Sequence, residues 1–278
     1  MAEFQILLER LHYSCGFIDG EDGARTRATL RAFQQGHGLP ATGLPDEALW
    51  RALRRLAGPS DPFTSHAVTA QDLAHVGPPL RTWTAKSEAE SLGYTDLWEY
   101  LGARFHAKRA YLRRLNPGPA GLGTVLRVPN LSPSAPAPAV ASLRIRLGAH
   151  SLDALDASGR VVAHFPCSIA KEKEKRPAGE LRIAVLVPHP NYTFDPALFP
   201  DAAAQEGITH RLIIPPGPRN PVGVAWIGLS LPTYGIHGTP EPEAIGRTGS
   251  HGCFRLTNWN VETLLPMVRI GMKVDVEP

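Results

Sequence analysis

A cysteine and two histidines stand close together near the end of the chain, in the segments His237-Gly238-Thr239 and Ser250-His251-Gly252-Cys253-Phe254-Arg255. A thiol acts as a nucleophile when a base takes its proton and a further group orients that base. His237 and Cys253 are sixteen positions apart, which suits neighbouring strands or loops. Gly252 lets backbone approach a substrate closely, and N–H groups around Cys253 can form an oxyanion hole. These features predict a nucleophilic thiol with a histidine base.

A zinc site is the alternative use of the same side chains, because histidine and cysteine are the commonest zinc ligands. The spacing of His237, His251 and Cys253 matches no common short zinc pattern. We therefore favour the nucleophilic interpretation and expect no metal.

The two segments taken together form a more specific motif than any of their residues alone. His237-Gly-Thr followed by Ser250-His-Gly-Cys-Phe-Arg-Leu resembles the signature of the L,D-transpeptidase catalytic family (YkuD-like). One branch of that family carries Asn two places after the cysteine; here that place is Arg255, as in another large branch. Further segments resemble the same family: Pro177 to Ile183, Pro215 to Pro218, Asn220 to Gly223, Trp226 to Leu229 and Gly235-Ile236.

The resemblance implies a reaction and its main residues. Cys253 attacks the carbonyl of the third stem residue of a peptidoglycan tetrapeptide, His237 is the general base, and the Gly238 carbonyl orients the imidazole. The terminal D-Ala leaves and a thioacyl-enzyme remains. A diaminopimelate amine (a 3→3 cross-link), a lipoprotein lysine or water then takes the acyl group. The resemblance implies no metal or organic cofactor.

The same resemblance gives supporting roles to the neighbouring residues. His251 and Gly252 shape the loop, and the N–H groups of Gly252 and Cys253 stabilise the oxyanion. Ser250 and Arg255 support the loop or bind a carboxylate, for which a guanidinium is well suited. Two more residues, Tyr234 and Thr239, are candidates for substrate contact, with Tyr234 as a cleft wall or core residue.

Two other functions stay open beside the transpeptidase. An L,D-carboxypeptidase uses the same chemistry with water as acceptor, and a wall-binding protein retains the fold without turnover. The intact pair of His237 and Cys253 argues against the second. For the expected enzyme, the partners are the glycan strands and stem peptides of peptidoglycan, with carbapenem β-lactams as covalent inhibitors.

Residues 142–278 are expected to form the catalytic domain, with a mainly-β, sandwich-like or half-closed barrel fold. Leu143-Arg-Ile-Arg-Leu alternates apolar and basic residues, as a half-buried strand does. The only clear helix runs from Asn260 to Val268. Further short strands are predicted at Ser151 to Leu155, Val161 to Phe165, Leu181 to Val187, Arg211 to Ile214, Val224 to Leu229 and Lys273 to Val276.

Residues 1–57 are predicted to form a small three-helix domain. Phe4, Leu7, Leu8 and Leu11 fall on one helical face. A second helix spans about Arg25 to Gln35, and Asp46 is a plausible N-cap for a third. The third helix is expected to turn Leu49, Trp50, Leu53 and Leu56 inward. The segments 18–26, 32–35, 38–43 and 46–50 resemble the peptidoglycan-binding domain of bacterial wall enzymes.

Residues 80–130 are expected to form a βααβ module. The predicted elements are a strand at Leu80 to Ala85, helices at Tyr94 to Phe105 and Lys108 to Leu115, and a strand at Val125 to Val128. This order resembles a LysM sugar-binding module, although the usual Gly-Asp-Thr before the first helix is absent and residues 86–93 look like an insertion. Residues 58–79 and 132–141 are expected to be linkers, the second stiff because of its prolines. The chain is thus a multidomain α+β protein.

Composition excludes several other classes. The chain has 26 glycines and 27 prolines in 278 residues, well above the average share of about 12% for the two together, so a long helical bundle is excluded. A net charge of +3 gives no reason to expect nucleic acid. No stretch reads as an integral membrane segment, and the start has no signal-peptide pattern. The start alone therefore fits either a cytoplasmic protein or one whose signal peptide is not in this chain. Because peptidoglycan lies outside the cytoplasmic membrane, the resemblance implies the second, a periplasmic or cell-envelope protein.

Cysteine usage excludes a disulfide-built scaffold, because there are three cysteines in all. Cys253 must keep its thiol to act, and Cys15 and Cys167 fall in different predicted domains. We therefore expect three unpaired thiols, with only Cys253 reactive.

Overall fold

The computed structural model describes residues 1–132, 134–246, 249 and 252–278. The chain forms a helical N-terminal unit, a mixed middle unit and a mainly-β C-terminal domain. None of the helices in these described ranges has the length and apolar character that crossing a bilayer requires.

The N-terminal unit has the three helices that the sequence predicts. These are α1 (Ala2–Arg10), α2 (Ala24–Gly36) and α3 (Glu47–Ala57). Asp46 caps α3, because its side chain accepts a hydrogen bond of 2.7 Å from the Leu49 N–H. Leu7, Leu30, Phe33 and Leu53 are fully buried between the helices. The expectation that Leu56 points inward is wrong, since its side chain is 42% exposed on the last turn of α3.

The middle unit begins earlier than the sequence predicts. Strand β1 (Phe63–Ala67) pairs antiparallel with β2 (Val125–Pro129), so the expected linker over residues 58–79 is wrong. Only Phe63 and His66 of β1 are partly buried. Because the strand buries so little, its sequence lacks the alternation of apolar and polar residues that would predict a strand. The strand is defined by its backbone pairing with β2.

The expected strand at Leu80 to Ala85 is also wrong. Thr82 accepts a hydrogen bond from the Ala85 N–H and starts a short helix there. The helices of the unit are α4 (Ala70–Ala74), α5 (Trp83–Ser87), α6 (Leu97–Arg104) and α7 (Arg109–Leu115). Four helices therefore lie between the two strands over residues 63–129, where the sequence predicts two, and the LysM-like assignment stays a prediction.

Residues 80–93, which include the segment 86–93 that looked like an insertion, contact the C-terminal domain. The indole ring of Trp83 stacks on Phe194, with ring centroids 4.5 Å apart. The Glu206 carboxylate accepts a hydrogen bond of 3.0 Å from the Trp83 N–H. Further along, the Leu92 N–H donates to the Pro216 carbonyl at 2.9 Å. Residues 80–93 are therefore packed against the catalytic domain.

The mainly-β character of the C-terminal domain is confirmed. Its strands in the described residues are β3 (Ser142–Arg146), β4 (Ser151–Leu155), β5 (Val161–Pro166), β6 (Gly179–Pro188), β7 (Tyr192–Phe194), β8 (Leu212–Ile214), β9 (Ala225–Leu229), β10 (Gly235–His237), β11 (Phe254–Arg255) and β12 (Lys273–Glu277).

Eight of these strands form one curled sheet instead of a two-sheet sandwich, in the order β11-β10-β9-β6-β12-β3-β4-β5, and β7 and β8 form a separate two-stranded sheet. The ten-residue β6 pairs with β12 on one side and β9 on the other, with a register shift between Ile183 and Val185. This long, bulged strand belongs to both halves of the large sheet and so joins them.

Two helices complete this domain. α9 (Asn258–Leu264) continues as a 3-10 turn and packs on β9 and β10. This helix begins two residues earlier than the sequence predicts. α8 (Pro200–Glu206), which the sequence reading missed, lies beside the separate β7–β8 hairpin. The main core lies under the sheet and includes Ile145, Leu152, Ile227, Ile236 and Phe254.

The N-terminal unit packs on the sheet edge at β5. The Ser14 N–H donates to the His164 carbonyl at 2.8 Å, and the His164 N–H donates to the His12 carbonyl at 3.0 Å. Gly36 allows this approach, because a Cβ there would lie 2.3 Å from the Val161 carbonyl oxygen and 2.5 Å from the Tyr13 hydroxyl. The helical unit is thus joined to the catalytic sheet by backbone hydrogen bonds and close packing.

Replacing Gly36 with alanine is expected to weaken this packing. The added methyl overlaps backbone at Val161, and such overpacking costs about 1–3 kcal/mol. We expect Gly36→Ala to lower the thermal midpoint and to expose residues 134–141 to limited proteolysis. Gly77→Ala is the matched control, because a Cβ at Gly77 has no heavy atom within 4 Å. Equal behaviour of the two variants contradicts the prediction.

Candidate active site

The predicted nucleophile and base lie on neighbouring strands. β10 pairs parallel with β11 and places His237 opposite Arg255 and Ile236 opposite Phe254. Continuing this register by one residue places Cys253 opposite Gly235. Because side chains alternate along strands, His237, Cys253 and Arg255 share one face of the sheet. Ile236 and Phe254 fill the core on the other face.

The imidazole of His237 has a defined orientation. Its Nδ1 lies 2.6 Å from the Gly238 carbonyl oxygen. A carbonyl only accepts, so Nδ1 carries the proton and Nε2 has the free electron pair. Burial lowers the pKa of His237 to about 4, with Arg255 acting in the same direction and hydrogen bonds to the backbone of Gly238 and Val222 opposing it. At neutral pH the ring is therefore an uncharged base.

The Gly238 carbonyl is held in place by Asn258, the first residue of α9. The Asn258 Oδ1 accepts a hydrogen bond of 3.0 Å from the Thr239 N–H, and its Nδ2 donates to the Pro218 carbonyl at 2.9 Å. A Cβ on Gly223 or on Gly238 would lie 2.2 Å from that Oδ1. Both glycines are therefore needed for the amide to reach the backbone beside His237. Asn258 was not predicted from the sequence, although the two glycines are a usable signal for a close approach.

Cys253 is half-buried at the start of β11. Its Sγ lies 3.5 Å from the Thr233 carbonyl oxygen. Burial raises the pKa of the thiol, while a backbone hydrogen bond from Gly235 and the charge of Arg255 act against that shift. Thr233 has a φ of +71°, which is rare for a β-branched residue and is typical of functional sites. Nothing in the sequence indicated Thr233.

Tyr234 connects two loops at the site. Its hydroxyl donates a hydrogen bond of 3.0 Å to the Lys175 carbonyl. Its ring covers Gly252, where a Cβ would lie only 3.1 Å from the ring. Tyr234 therefore fixes the exposed turn at Lys173–Lys175 beside the loop that carries Cys253.

The other predicted site residues have different surroundings. Arg255 exchanges two backbone hydrogen bonds of 2.9 Å with Ser168, and its buried Nε has no hydrogen-bond partner within the described ranges. Thr239 is buried, and its hydroxyl accepts from the Glu241 N–H at 3.1 Å, so it holds a turn. Ser250 and His251 lie outside the described residues.

The two remaining cysteines are poor nucleophiles. Cys15 and Cys167 are both buried. Burial raises the pKa of Cys15 to about 12 and raises that of Cys167 as well. Since the thiolate is the reactive form, neither competes with Cys253. No group of three or more metal-ligating side chains occurs in the part of the chain that the structure describes; that part does not include His251.

A cavity of about 280 Å³ lies where the middle unit, the catalytic domain and Phe17 of the N-terminal unit meet. Thr239 and Asn258 contribute to its wall, whereas His237 and Cys253 do not. Arg219 lines this cavity and forms an ion pair of 2.6 Å with Glu99 of α6. It therefore joins two units of the chain.

Comparison with known families matches two regions of the chain. Residues 141–276 match YkuD, the L,D-transpeptidase catalytic domain. Residues 1–53 match the putative peptidoglycan binding domain PG_binding_1. The C-terminal domain therefore belongs to the L,D-transpeptidase catalytic family, and the chain combines it with an N-terminal peptidoglycan-binding domain. Both matches leave residues 54–140 uncovered.

Individual relatives match over different shares of their length. A putative L,D-transpeptidase YkuD of Bacillus licheniformis is 43% identical over 63 residues, which are 23% of this chain and 38% of that relative. The protein of the same description from Bacillus subtilis is 28% identical over 184 residues, which are 65% of this chain and 93% of the relative. A solved L,D-transpeptidase from Mycobacterium smegmatis has 19% identity and a TM-score of 0.38, covering 49% of this chain and 58% of that one.

The charge state of the site can be tested by alkylation. With His237 uncharged above a pKa of about 4 and the Cys253 pKa raised, both groups are neutral near pH 7. The alkylation rate of Cys253 by iodoacetamide should then rise about tenfold per pH unit from pH 6 to 9, following the thiolate fraction. Intact-mass spectrometry measures the rate, with Cys253→Ala as control. A rate that stays constant below pH 7 indicates a preformed thiolate–imidazolium pair and contradicts this reading.

Proposed function

We propose that this chain is a cysteine L,D-transpeptidase that acts on peptidoglycan stem tetrapeptides through a thioacyl-enzyme. One observation supports this most strongly: the Nδ1 of His237 is bonded to the Gly238 carbonyl, which leaves Nε2 as a base on the face shared with Cys253. That combination of a thiol, a neutral imidazole and an orienting carbonyl is what nucleophilic acyl transfer needs.

The first half of the reaction forms the thioester. As Sγ of Cys253 attacks the carbonyl of the third stem residue, its proton passes to Nε2 of His237. The imidazolium that forms is stabilised by the Gly238 carbonyl at Nδ1 and then gives a proton to the leaving D-Ala amine. Because both groups start uncharged, the proton moves together with attack, and His237 acts as a general base.

The second half transfers the acyl group. An incoming amine loses a proton to Nε2 of His237 and attacks the thioester, and the thiol is regenerated. The backbone N–H groups of Gly252 and Cys253 are our candidates for stabilising the oxyanion in both halves. Arg255, on the same face and with an unpaired buried Nε among the described residues, is our candidate for binding a substrate carboxylate.

The other units hold the enzyme on its polymer. The peptidoglycan-binding domain at residues 1–53 would bind the wall directly, and the middle unit would bind glycan if it acts as a LysM module. Peptidoglycan lies outside the cytoplasmic membrane, so we place the protein in the cell envelope, in the periplasm where an outer membrane is present.

The assignment is tested with disaccharide-tetrapeptides. The wild-type chain should release D-Ala, and Cys253→Ala should lose turnover by at least about a thousandfold with an unchanged thermal midpoint. Cys15→Ala, which removes a buried thiol from the N-terminal unit, is the control and should keep turnover. Retention of activity in Cys253→Ala excludes the mechanism.

Chromatography of the same reactions identifies the acceptor. Cross-linked dimers are the expected products and mark a transpeptidase. Tripeptides alone mark an L,D-carboxypeptidase, and the absence of both in the wild type marks a wall-binding protein without turnover.

A carbapenem should also acylate Cys253. The solved L,D-transpeptidase 3 from Mycobacterium tuberculosis carries a faropenem-derived adduct, and we expect the related chemistry here because a strained β-lactam carbonyl replaces the stem peptide. Intact-mass spectrometry after incubation with imipenem should show one adduct, mapped to Cys253 by peptide digestion. His237→Ala should acylate much more slowly, since the thiol loses its base. No adduct, or an adduct on another residue, argues against the assignment.

A further inference from the structure

Trp226 lies directly beside the proposed base. Strand β9 pairs antiparallel with β10 and places Trp226 opposite His237. The indole and imidazole rings are 5.5 Å apart between centroids and only 22° from parallel. The indole therefore covers one side of the imidazole, and Trp226 is itself half-buried.

Two glycines make a flat seat for the indole. A Cβ on Gly235 would lie between 2.6 and 2.8 Å from three atoms of the Trp226 ring. A Cβ on Gly228 would lie 2.6 Å from Cγ1 of Val185 and 2.9 Å from the indole Nε1. Both residues lie in extended strands, β10 and β9, so neither glycine is required for a left-handed backbone. At Gly235 the indole occupies the space that a side chain would fill, and at Gly228 the indole and Val185 occupy it together.

The two glycines place the indole ring near both proposed reacting residues, His237 and Cys253. Gly235 lies two residues before His237 on β10, and the strand register places it opposite Cys253. The indole thus contacts the base directly and covers the strand position that neighbours the nucleophile. Phe254 and Ile236 lie on the opposite face of these strands, so they do not provide this contact.

We propose that Trp226 is a positioning residue for the transferase reaction: seated on Gly228 and Gly235, its ring holds the plane of the His237 imidazole so that Nε2 faces Cys253. The inference rests on the proposed function. The hydrogen bond from Nδ1 to the Gly238 carbonyl fixes one atom of the ring and still permits tilting about that bond. Stacking against an indole on a rigid seat removes this freedom and keeps water from one side of the base.

Removing the ring should change both rate and titration. Trp226→Ala is expected to lower kcat on the tetrapeptide by about 10- to 100-fold, part of the usual contribution of a general base, with little change in KM. Water then reaches the imidazole, and its pKa should rise from about 4 towards its ordinary value near 6.5. Arg255 and Cys253, the charged and titratable groups on the same face, are unchanged in this variant. Trp226→Phe should restore most of both properties.

A glycine variant separates positioning from direct contact. Gly235→Ala removes no group that faces the imidazole, yet it should reproduce the rate loss and the shifted titration by displacing the indole. In the Trp226→Ala background the same substitution should have no further effect, because the ring it displaces is gone. Gly148→Ala is the matched control, since its Cβ meets nothing nearer than 3.5 Å.

Two measurements test the inference independently of turnover: NMR titration of His237 and the alkylation rate of Cys253, each made on every variant. If the wild type does not turn over the tetrapeptide, the proposed function is wrong, but these two measurements still test the positioning role. An unchanged His237 titration in both Trp226→Ala and Gly235→Ala overturns the inference, as do effects that multiply in the double variant.

If Trp226→Ala does not fold, Gly235→Ala should be milder in the Trp226→Phe background, where the smaller ring leaves room for the methyl. Equal effects in the two backgrounds overturn it.

Discussion

The hydrogen bond between Nδ1 of His237 and the Gly238 carbonyl is the constraint on which the site depends. It sets which ring nitrogen carries the proton, and so which nitrogen is able to accept one from Cys253. The partner is the backbone carbonyl of the adjacent residue, and it carries no full charge that would raise the pKa of the imidazole strongly. With burial holding that pKa near 4, the base is neutral over the whole physiological range.

This single bond needs a rigid surrounding, which comes from several distant parts of the sequence. Asn258 forms hydrogen bonds with the Thr239 N–H, which belongs to the same peptide group as this carbonyl, and with the Pro218 carbonyl, and Gly223 allows the amide to approach. The parallel pairing of β10 with β11 sets where Cys253 stands relative to the ring. A displacement in any of these elements moves the base relative to the thiol.

The sequence predicted the elements whose signals are local. The Asp46 cap was predicted correctly because capping depends on residues three positions apart. Most strands of the catalytic domain were predicted because apolar and polar residues alternate in the short runs between turn residues. Strand β1 was missed because its pairing with β2 lies about sixty residues away, and its own residues are mostly exposed. The left-handed Thr233 and the role of Asn258 likewise depend on contacts that no local pattern encodes. The LysM-like assignment and the roles of Ser250 and His251 stay predictions.

The contacts between units change how the binding domain would assist catalysis. Two binding modules on flexible linkers raise the local substrate concentration without fixing its direction. Here the helical unit shares backbone hydrogen bonds with β5, and residues 80–93 bind the β7–β8 region. The ion pair of Glu99 with Arg219 adds a further bridge beside the base-orienting turn. Because the units are packed together, a glycan strand bound to them would present its stem peptides to the catalytic face from a fixed direction. Binding energy gained at the modules would then contribute to orienting the substrate as well as to retaining it.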